Sequence, residues 1–501
     1  MTNKTPNTEA GEKEKGEDII EKCIGAFGRW QIWVCCLAGI AKFPTSWHMM
    51  SIIFLAPPIK TTCVDSNVTD FCSTECPGIE FDTTIFASTI TTEWHLVCDK
   101  KYLVSMSQSL LMLGILLGSV LFGYLSDRFG RQKPMVFAIA LQSIAGLIEA
   151  FSPWFSLFVI MRFIAAVATA GTLLISFVLL MEVVGTKYRM ILGCLSHVPY
   201  FIGHASMVAI SYYLRDWREF QIAISAPTII LLLYFWVLPE SPRWQLSMGR
   251  KEEATYVLKK AAAYNKRPID GIDRDITAYL QKHSMNDKDT KKGNLLDLVK
   301  TKIILRYTVL MCICWLVSGF CYYGANQYMG QLGGDIFLNV ALSALIQLPS
   351  NFFACWSATV WGRKKTLMFA YTIASMALGG LSILPKDPTW LKPAFACLGI
   401  FGVTLSFVTI YTYSIELFPT FMRNAAMGAT SMFARLGSML APFAAALGGG
   451  TDNWLPPTIF SVACTVASLA CLKLPETLGK DLPETVEDTE MLEMKKTKND
   501  C

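Results

Sequence analysis

The sequence lacks most of what a soluble enzyme needs. It has neither a nucleophile beside a base nor a histidine and cysteine cluster with metal-ligand spacing, and it has no glycine-rich loop that could hold a phosphate. Charged residues make up only 17% of the chain and the formal net charge is +5, which charged loops explain without nucleic acid as a partner. These absences argue against an enzyme, and they predict neither a metal nor a cofactor.

Hydrophobic residues, in contrast, are abundant. They make up 53% of the 501 residues, and the mean hydropathy of +0.40 is far above that of a soluble domain. Twelve runs are long enough to cross a lipid bilayer: 30–56, 103–125, 134–151, 155–184, 191–214, 220–238, 303–323, 336–361, 366–384, 391–415, 425–447 and 457–474. The pattern predicts an all-α membrane protein with twelve transmembrane helices.

Three landmarks occur twice in the chain at a nearly constant offset. The charged hairpin 123–133 recurs around Gly362, 232 residues further along the chain. A Glu followed seven residues later by an Arg recurs with an offset of 234 residues, and a Pro-Glu-Ser/Thr triplet recurs with an offset of 236 residues. The acid of the first hairpin, Asp127, is replaced by Thr359 in the second. Parallel repeats of this kind are typical of transporters, with the substrate site between two pseudo-symmetric six-helix bundles.

The segments outside the helices predict the topology. Residues 1–29 lack the apolar core of a cleaved signal, so we expect a cytosolic N-terminal tail and, with an even number of helices, a cytosolic C-terminal tail (475–501). The predicted order is an N-terminal bundle (30–238) with an extracellular loop (57–102), a cytosolic linker with short helices (239–302) and a C-terminal bundle (303–474).

The composition of the first loop agrees with an extracellular position. It contains a glycosylation acceptor at Asn67 and four disulfide candidates that can pair in three ways, Cys63, Cys72, Cys76 and Cys98. The other twelve cysteines lie mostly in the apolar runs, and we interpret them as small packing residues.

Several motifs resemble those of a known family. The hairpin 123–133 resembles the signature of the major facilitator superfamily. The motifs PESPRW (239–244), ELFPT (416–420), ARLGS (434–438), LPETLGK (474–480) and TEWHLVC (92–98) resemble the organic cation, organic anion and carnitine transporters, solute carrier family twenty-two, and especially their invertebrate "organic cation transporter-like" members. The resemblance implies two bundles that rock around a central cavity in the plasma membrane to carry a small organic ion, and it leaves a coupling ion or counter-substrate open.

The resemblance also implies a latch of charged residues at the cytoplasmic face. Its members are Asp127, Arg128, Arg131, Glu182, Arg189, Glu240, Arg243, Glu416 and Arg423. The alternative is that these charges only fix topology, but acids contribute little to topology and here they recur at matched positions. Because Thr359 replaces an acid, we expect the latch to be stronger in the first half.

Arg435 is the main candidate for substrate binding, because it lies in the middle of the apolar run 425–447 and a charge at that depth is functional by default. In the family this position is basic in anion and carnitine carriers and acidic in cation carriers. The resemblance therefore implies a carboxylate-bearing anion or a zwitterion such as a carnitine-like compound, which a guanidinium can bind with two hydrogen bonds. The alternative is a packing ion pair, for example with Glu149.

Aromatic side chains are the other expected components of the cavity, because rings can bind flat organic ions. The candidates are Phe320, Tyr322, Tyr323, Phe177, Tyr200 and Phe201, which is the repeat equivalent of Arg435. Lys42 either adds positive potential or extends to the interface, and His197 and His204 are either packing residues or proton-coupling groups. A polyspecific organic cation uniporter and a non-transporting receptor are the alternative functions.

Overall fold

The computed structural model describes residues 18–64, 72, 78–286, 297–385, 390–447, 454–480, 483 and 489. Its helices form twelve spans, numbered here 1 to 12. In the first half they are Arg29–Ile40 with Lys42–Met50 and Ile52–Leu55 (span 1), Tyr102–Phe129 (span 2), Gln132–Ala150 (span 3), Phe155–Val183 (span 4), Arg189–Leu195 with Val198–Tyr213 (span 5), and Trp217–Ser225 with Ala226–Leu233 and Tyr234–Val237 (span 6). In the second half they are Lys302–Met329 (span 7), Ile336–Val360 (span 8), Arg363–Ile383 (span 9), Leu391–Leu417 (span 10), Arg423–Ala446 (span 11) and Leu455–Leu472 (span 12).

Three spans are interrupted, and prolines account for most of the interruptions. Pro44 and Pro199 lack the N–H that would bond the carbonyl four residues earlier. Spans 1 and 5 break at Ala41 and at Ser196, directly after the residues whose carbonyls lose this helical partner. Pro227 opens the tighter 3₁₀ stretch of span 6. Span 1 divides again at Ser51.

Within the described ranges, ten of the helices are long and apolar enough to cross a membrane. The two other spans are span 1, which is divided into short pieces, and span 11, whose 24 residues include Arg435 and several small polar side chains. The twelve helices and their arrangement as two bundles are confirmed.

The two halves repeat the same packing. Span 3 packs on spans 4 and 6, as span 9 packs on spans 10 and 12, and span 1 packs on span 5 as span 7 packs on span 11. The halves meet along two contacts, span 2 with span 11 and span 5 with span 8. These four spans therefore border the space between the bundles.

One end of the bundle, here called the loop face, contains the segment between spans 1 and 2. It holds the short helices Ile90–Glu93 and Cys98–Lys100 and two antiparallel strands, Thr61–Cys63 and Ile79–Phe81, so the chain is not purely helical. Cys72 and Cys98 form a disulfide, and Cys63 is also disulfide-bonded. Cys76 and Asn67 lie outside the described residues.

The opposite end, here called the linker face, contains the helices that connect the halves. They are Pro242–Ser247, Lys251–Tyr264, Ile272–Asn286 and Asp297–Lys300, with the 3₁₀ turn Thr186–Tyr188 between spans 4 and 5. The N-terminal helix Ile19–Ile24 packs against two of them. Asn265 ties these parts together, since its side chain accepts from the Trp30 N–H at 2.8 Å and donates to the Ile24 carbonyl at 2.9 Å.

Candidate substrate site and gates

The contact of spans 7 and 11 places Arg435 beside aromatic side chains. A Cβ added to Gly319 or Gly437 would lie 2.1 Å from a carbonyl oxygen of the other helix, so glycine at both positions allows the two backbones to touch. At this crossing Arg435 hydrogen-bonds the hydroxyl of Tyr323. Tyr411 of span 10 and Tyr200 of span 5 also lie close enough to interact with its charge. Arg435 as a whole residue is partly buried.

A neutral hydrogen-bond network adjoins Arg435 and crosses between the halves. The Tyr322 hydroxyl donates to Gln347 Oε1 at 2.7 Å, and Gln347 Nε2 donates to Asn326 Oδ1 at 3.2 Å. Gln347 Nε2 also lies 3.4 Å from Nδ1 of His204 in span 5. Since all four side chains are buried, this network joins spans 5, 7 and 8 at the middle of the molecule.

No carboxylate lies within ion-pair distance of Arg435 in the described part of the chain. Glu149, which we considered as its partner, instead pairs with Arg162 of span 4 at 3.1 Å. An ion pair between Arg435 and Glu149, the packing alternative, is therefore wrong, and the main groups that interact with the charge of Arg435 are the hydroxyls of Tyr323, Tyr411 and Tyr200.

The remaining candidates occupy three different places. Phe201 lies next to Tyr200, with the two rings edge to face and their centroids 6.0 Å apart. Lys42 is 4% exposed and donates to the Ser196 carbonyl at 2.9 Å, with its ammonium 5.7 Å from the centre of the Phe177 ring, so it does not extend to an interface. Phe320 packs on Phe460 of span 12, with the ring centroids 5.2 Å apart, so the structure places its ring against span 12.

At the linker face of the first half, the charged residues form one cluster around Arg131. Its guanidinium donates to Glu182 at 2.6 Å and to Asp127 at 2.8 Å. Burial alone would lower the pKa of Arg131, but the two carboxylates, chiefly Glu182, raise it. Arg128 does not join this cluster, because it is exposed and donates to Tyr124 instead.

Two further carboxylates complete the cluster. Asp18, from the segment before span 1, accepts from Arg189 at 3.0 Å and from Arg243 at 2.5 Å. Glu240 accepts from the backbone N–H groups of Arg131 at 2.6 Å and Gln132 at 3.2 Å, where it pairs with the free donors at the start of span 3. Burial raises the pKa of the Glu240 carboxyl, although these N–H groups oppose the shift.

The second half forms a smaller version of the same cluster. Arg363 donates to Glu416 at 2.7 Å and its backbone N–H to Glu476 at 2.9 Å, as Arg131 does with Glu182 and Glu240. Thr477 adds a bond to Glu416 at 2.7 Å. Arg423, the equivalent of Arg189, has two buried nitrogens without a partner among the described residues.

Each of these clusters stays within its own half, whereas other contacts join the halves. At the loop face, the Phe337 ring of span 8 stacks on Phe54 of span 1 at 5.7 Å, and Tyr212 and Arg215 cover the same ring. We call this contact the loop-face gate. Nearer the linker face, Cys194 of span 5 and Cys355 of span 8 form a disulfide, which corrects our interpretation of both as packing residues.

Comparisons with known proteins show which family this chain resembles. Residues 45–488 match the family model described as "Sugar (and other) transporter". The "Organic cation transporter protein" of Drosophila melanogaster is 35% identical over 421 residues, 83% of this chain and 76% of that protein. The human "Organic cation/carnitine transporter 2" is 32% identical over 423 residues, 84% of this chain and 75% of that protein. The mouse "Solute carrier family 22 member 2" is 33% identical over 82% of this chain and 74% of that protein.

The chain belongs to solute carrier family 22. It is a multi-pass membrane transporter of small organic solutes, not an enzyme. Solved structures of the xylose transporter XylE from E. coli share its fold: the inward-open form aligns with a TM-score of 0.69 over 92% of this chain and 99% of that one, and the partially occluded inward-open form with 0.66 over 90% and 100%. At 17% identity these alignments establish the major facilitator fold alone.

Sequence reasoning missed several residues of this transporter. Arg162 was detectable, since it is a charge inside the apolar run 155–184, and Arg363 was detectable as the repeat equivalent of Arg131. Asp18 had no signal, because it lies in a polar segment of mixed charge. Gln347 and Asn326 are uncharged, and their importance depends on helix packing.

Proposed function

We propose that this protein carries small organic ions by alternating access, and that its substrates are carboxylate-bearing anions or zwitterions such as carnitine-like compounds. Arg435 binds the carboxylate in this proposal, and Tyr322, Tyr323, Tyr200 and Phe201 enclose the organic part. Lys42 and Phe177, from spans 1 and 4, form a separate group that adds positive potential and an aromatic ring to the substrate path. The observation that carries the proposal is a guanidinium at the junction of the halves with tyrosine hydroxyls around it and, among the described residues, no acid within ion-pair distance.

The physical reason is the cost of an unpaired charge. A charged group away from water is expensive unless a partner neutralises it, and here that partner is absent among the described residues. A carboxylate of the substrate would supply it with two parallel hydrogen bonds. A cation would meet repulsion from Arg435 and would have only aromatic rings to bind it.

We also propose a topology in the plasma membrane. The linker face, with both tails (1–29 and 475–501) and the linker (239–302), is cytosolic, and the loop face is extracellular with Asn67 glycosylated. The Cys72–Cys98 disulfide supports an oxidising exterior for the loop face. Loss of a mass shift with glycosidase in Asn67→Gln, together with protease access to an N-terminal tag only in permeabilised cells, would test the assignment.

The charged clusters act as latches in this proposal because of the register between spans 2 and 11. Ser109 donates to the Met439 carbonyl at 2.6 Å near the loop face. Eighteen residues further toward the linker face, span 2 reaches Asp127 and the chain of span 11 reaches Phe421, within one turn of Arg423. When the linker face closes, Asp127 and Arg423 therefore meet.

Uptake into vesicles containing the purified protein tests the substrate class. We expect Arg435→Asp to abolish uptake of carnitine or p-aminohippurate and to allow tetraethylammonium, with unchanged surface expression in cells, while Arg435→Lys keeps part of the anion uptake. Normal anion or zwitterion uptake by Arg435→Asp would make Arg435 structural. Tetraethylammonium uptake by the wild type that exceeds that of both anions would favour the cation uniporter, and the absence of any exchange would favour a receptor.

A further inference from the structure

The first half contains a buried group of polar side chains that the proposed transport site does not use. Five of them are hydrogen-bonded to one another or paired: Ser51, Gln108, Glu149, Arg162 and Gln221. We call these five, with the neighbouring His48, Gln142 and Ser225, the polar chamber. All eight are buried, and a narrow cavity beside the ion pair is lined by His48, Glu149 and Arg162.

Several side-chain atoms of the polar chamber lack a partner, although the cavity beside the ion pair has no room for a water molecule in this conformation. His48 Nε2, Arg162 Nε, Gln221 Oε1, Ser225 Oγ and both amide atoms of Gln142 have no partner in the described part of the chain. Such atoms are costly unless water satisfies them. Because donors and acceptors are mixed and a guanidinium lies among them, the group suits water and protons better than a metal cation, which requires oxygen ligands.

The second half shows that the fold does not require this group. The matching helix contact there is Gly379 against Ser461, as Gly146 lies against Ser225, but Ser461 is satisfied by the Ser375 carbonyl at 2.8 Å. Under the repeat, Ala396 replaces Arg162, Pro457 replaces Gln221, and residues 381–383 near the equivalent of Glu149 carry no charge. A buried charge pair that one copy of the fold omits points to function.

The polar chamber lies next to the loop face. Glu149 is the penultimate residue of span 3, and directly above it Arg218 donates to the carbonyls of Ala150 at 2.6 Å and Ser152 at 3.0 Å. The charged and titratable groups around Glu149 are Arg162 on span 4, His48 on span 1 and Arg218 on span 6, whose own partner is Glu93. Span 2 contributes only the neutral Gln108.

The polar chamber is also connected to the loop-face gate. Arg162 donates to Ser51 at 3.1 Å, at the break of span 1, and to Gln108 at 2.9 Å, which in turn donates to the Met49 carbonyl at 3.2 Å. The next segment, Ile52–Leu55, carries Phe54 against Phe337 of the second half. Arg162 therefore holds both sides of the break that precedes the gate.

We propose that the polar chamber is a proton-binding site whose occupancy is coupled to the loop-face gate, and this rests on the proposed carrier function. Glu149 takes its proton from water at the loop face. The neutral carboxyl then no longer balances Arg162, whose buried charge is stabilised only if water enters, and the segment Ile52–Leu55 is released. Lower pH therefore favours the open loop face, and by reciprocity closure of the gate releases the proton.

Hydrogen exchange of the substrate-free protein, corrected for the intrinsic pH dependence, tests the coupling without a known substrate. In the wild type we expect the 52–55 amides to exchange faster as pH falls, by up to about tenfold per pH unit, which is the limit for one linked proton. Glu149→Gln with Arg162→Met should abolish this dependence, and the neutral pair avoids a buried lone charge. Glu93→Gln, the control for another carboxylate nearby, should leave it in place.

The outcomes separate this proposal from the carrier function. If the double variant retains the wild-type pH dependence, or if His48→Gln alone removes it, Glu149 is not the proton site. If the wild-type 52–55 segment shows no pH dependence, the coupling is absent even when solutes are transported. If the dependence is present and no solute of the panel moves at any pH, the proton site stands and the carrier function fails.

Discussion

A carboxylate from outside the bundle completes the linker-face cluster of the first half, whereas the second half has no described equivalent. Asp18 accepts from Arg189 and Arg243, while Arg423, the repeat equivalent of Arg189, keeps two buried nitrogens without a described partner. The same contrast holds inside the helices, since Glu149 and Arg162 have no charged counterparts in the second half. The halves share helix packing, but the buried charge is concentrated in the first. We infer that packing defines the fold and that this charge controls movement of the first half against the second.

Among the changes that test this difference between the halves, removal of Arg162 should have the largest effect on stability. Arg162→Ala leaves Glu149 buried and unpaired, and breaking a buried pair in this way costs about 3–5 kcal/mol. We expect strong loss of surface expression and a clearly lower melting temperature of the purified protein. Glu149→Gln with Arg162→Met should recover most of both, and a single Arg162→Ala variant as stable as the wild type would show that the pair does not stabilise the first half.

The equivalent glycines of spans 5 and 11 should respond differently to alanine. A Cβ at Gly437 would lie 2.1 Å from the Leu316 carbonyl oxygen, whereas one at Gly203 would lie 3.1 Å from Phe43 and Ser46. Overpacking costs about 1–3 kcal/mol, so we expect Gly437→Ala to lower the melting temperature markedly and to impair uptake by moving Arg435 away from Tyr323. Gly203→Ala is the matched control with a small effect. Equal melting temperatures for the two variants would refute the difference in packing.

Asp18→Asn should have a smaller effect. Asparagine can still cap the helix Ile19–Ile24, so the change removes only the charge shared by Arg189 and Arg243. Both arginines are about one-third exposed, which limits the expected loss to about 1 kcal/mol. The melting temperature should fall slightly at low salt and converge with that of the wild type at high salt. A difference in melting temperature that does not depend on salt would mean that the ion pairs are not responsible.

The parts of the molecule that could be predicted from sequence are those with a local signal. Hydrophobic runs define the spans, the repeated hairpins define the halves, and Arg435 stands out as a charge within an apolar run. The direction of a side chain cannot be predicted when its helix is apolar all round, so the sequence does not show that the ring of Phe320 packs on Phe460.

Pairings between distant residues were equally inaccessible. Glu149 and Arg162 are 13 residues apart on different spans, and Cys194 and Cys355 are separated by 161 residues. Asp18 joins Arg243 across 225 residues. Each pairing depends on how the helices pack, and a single sequence considered by itself carries no signal for such contacts.

Asp127 should matter least for stability, because its side chain is 77% exposed and its bond to Arg131 is a surface ion pair, worth about 0.2–1 kcal/mol. We propose that its importance lies in the closed linker face, where the register of spans 2 and 11 would bring it to Arg423. We expect Asp127→Arg and Arg423→Asp each to slow uptake strongly with little change in melting temperature. The double variant should restore a large part of the rate, because the exchanged charges attract again, with a coupling energy of about 0.5–3 kcal/mol for residues in contact. Arg128→Asp, which changes an equally exposed neighbour outside the cluster, is the control. If the double variant is as slow as the slower single variant, the two residues do not meet in any state of the cycle, and the first-half cluster is a structural feature of the linker face rather than a latch.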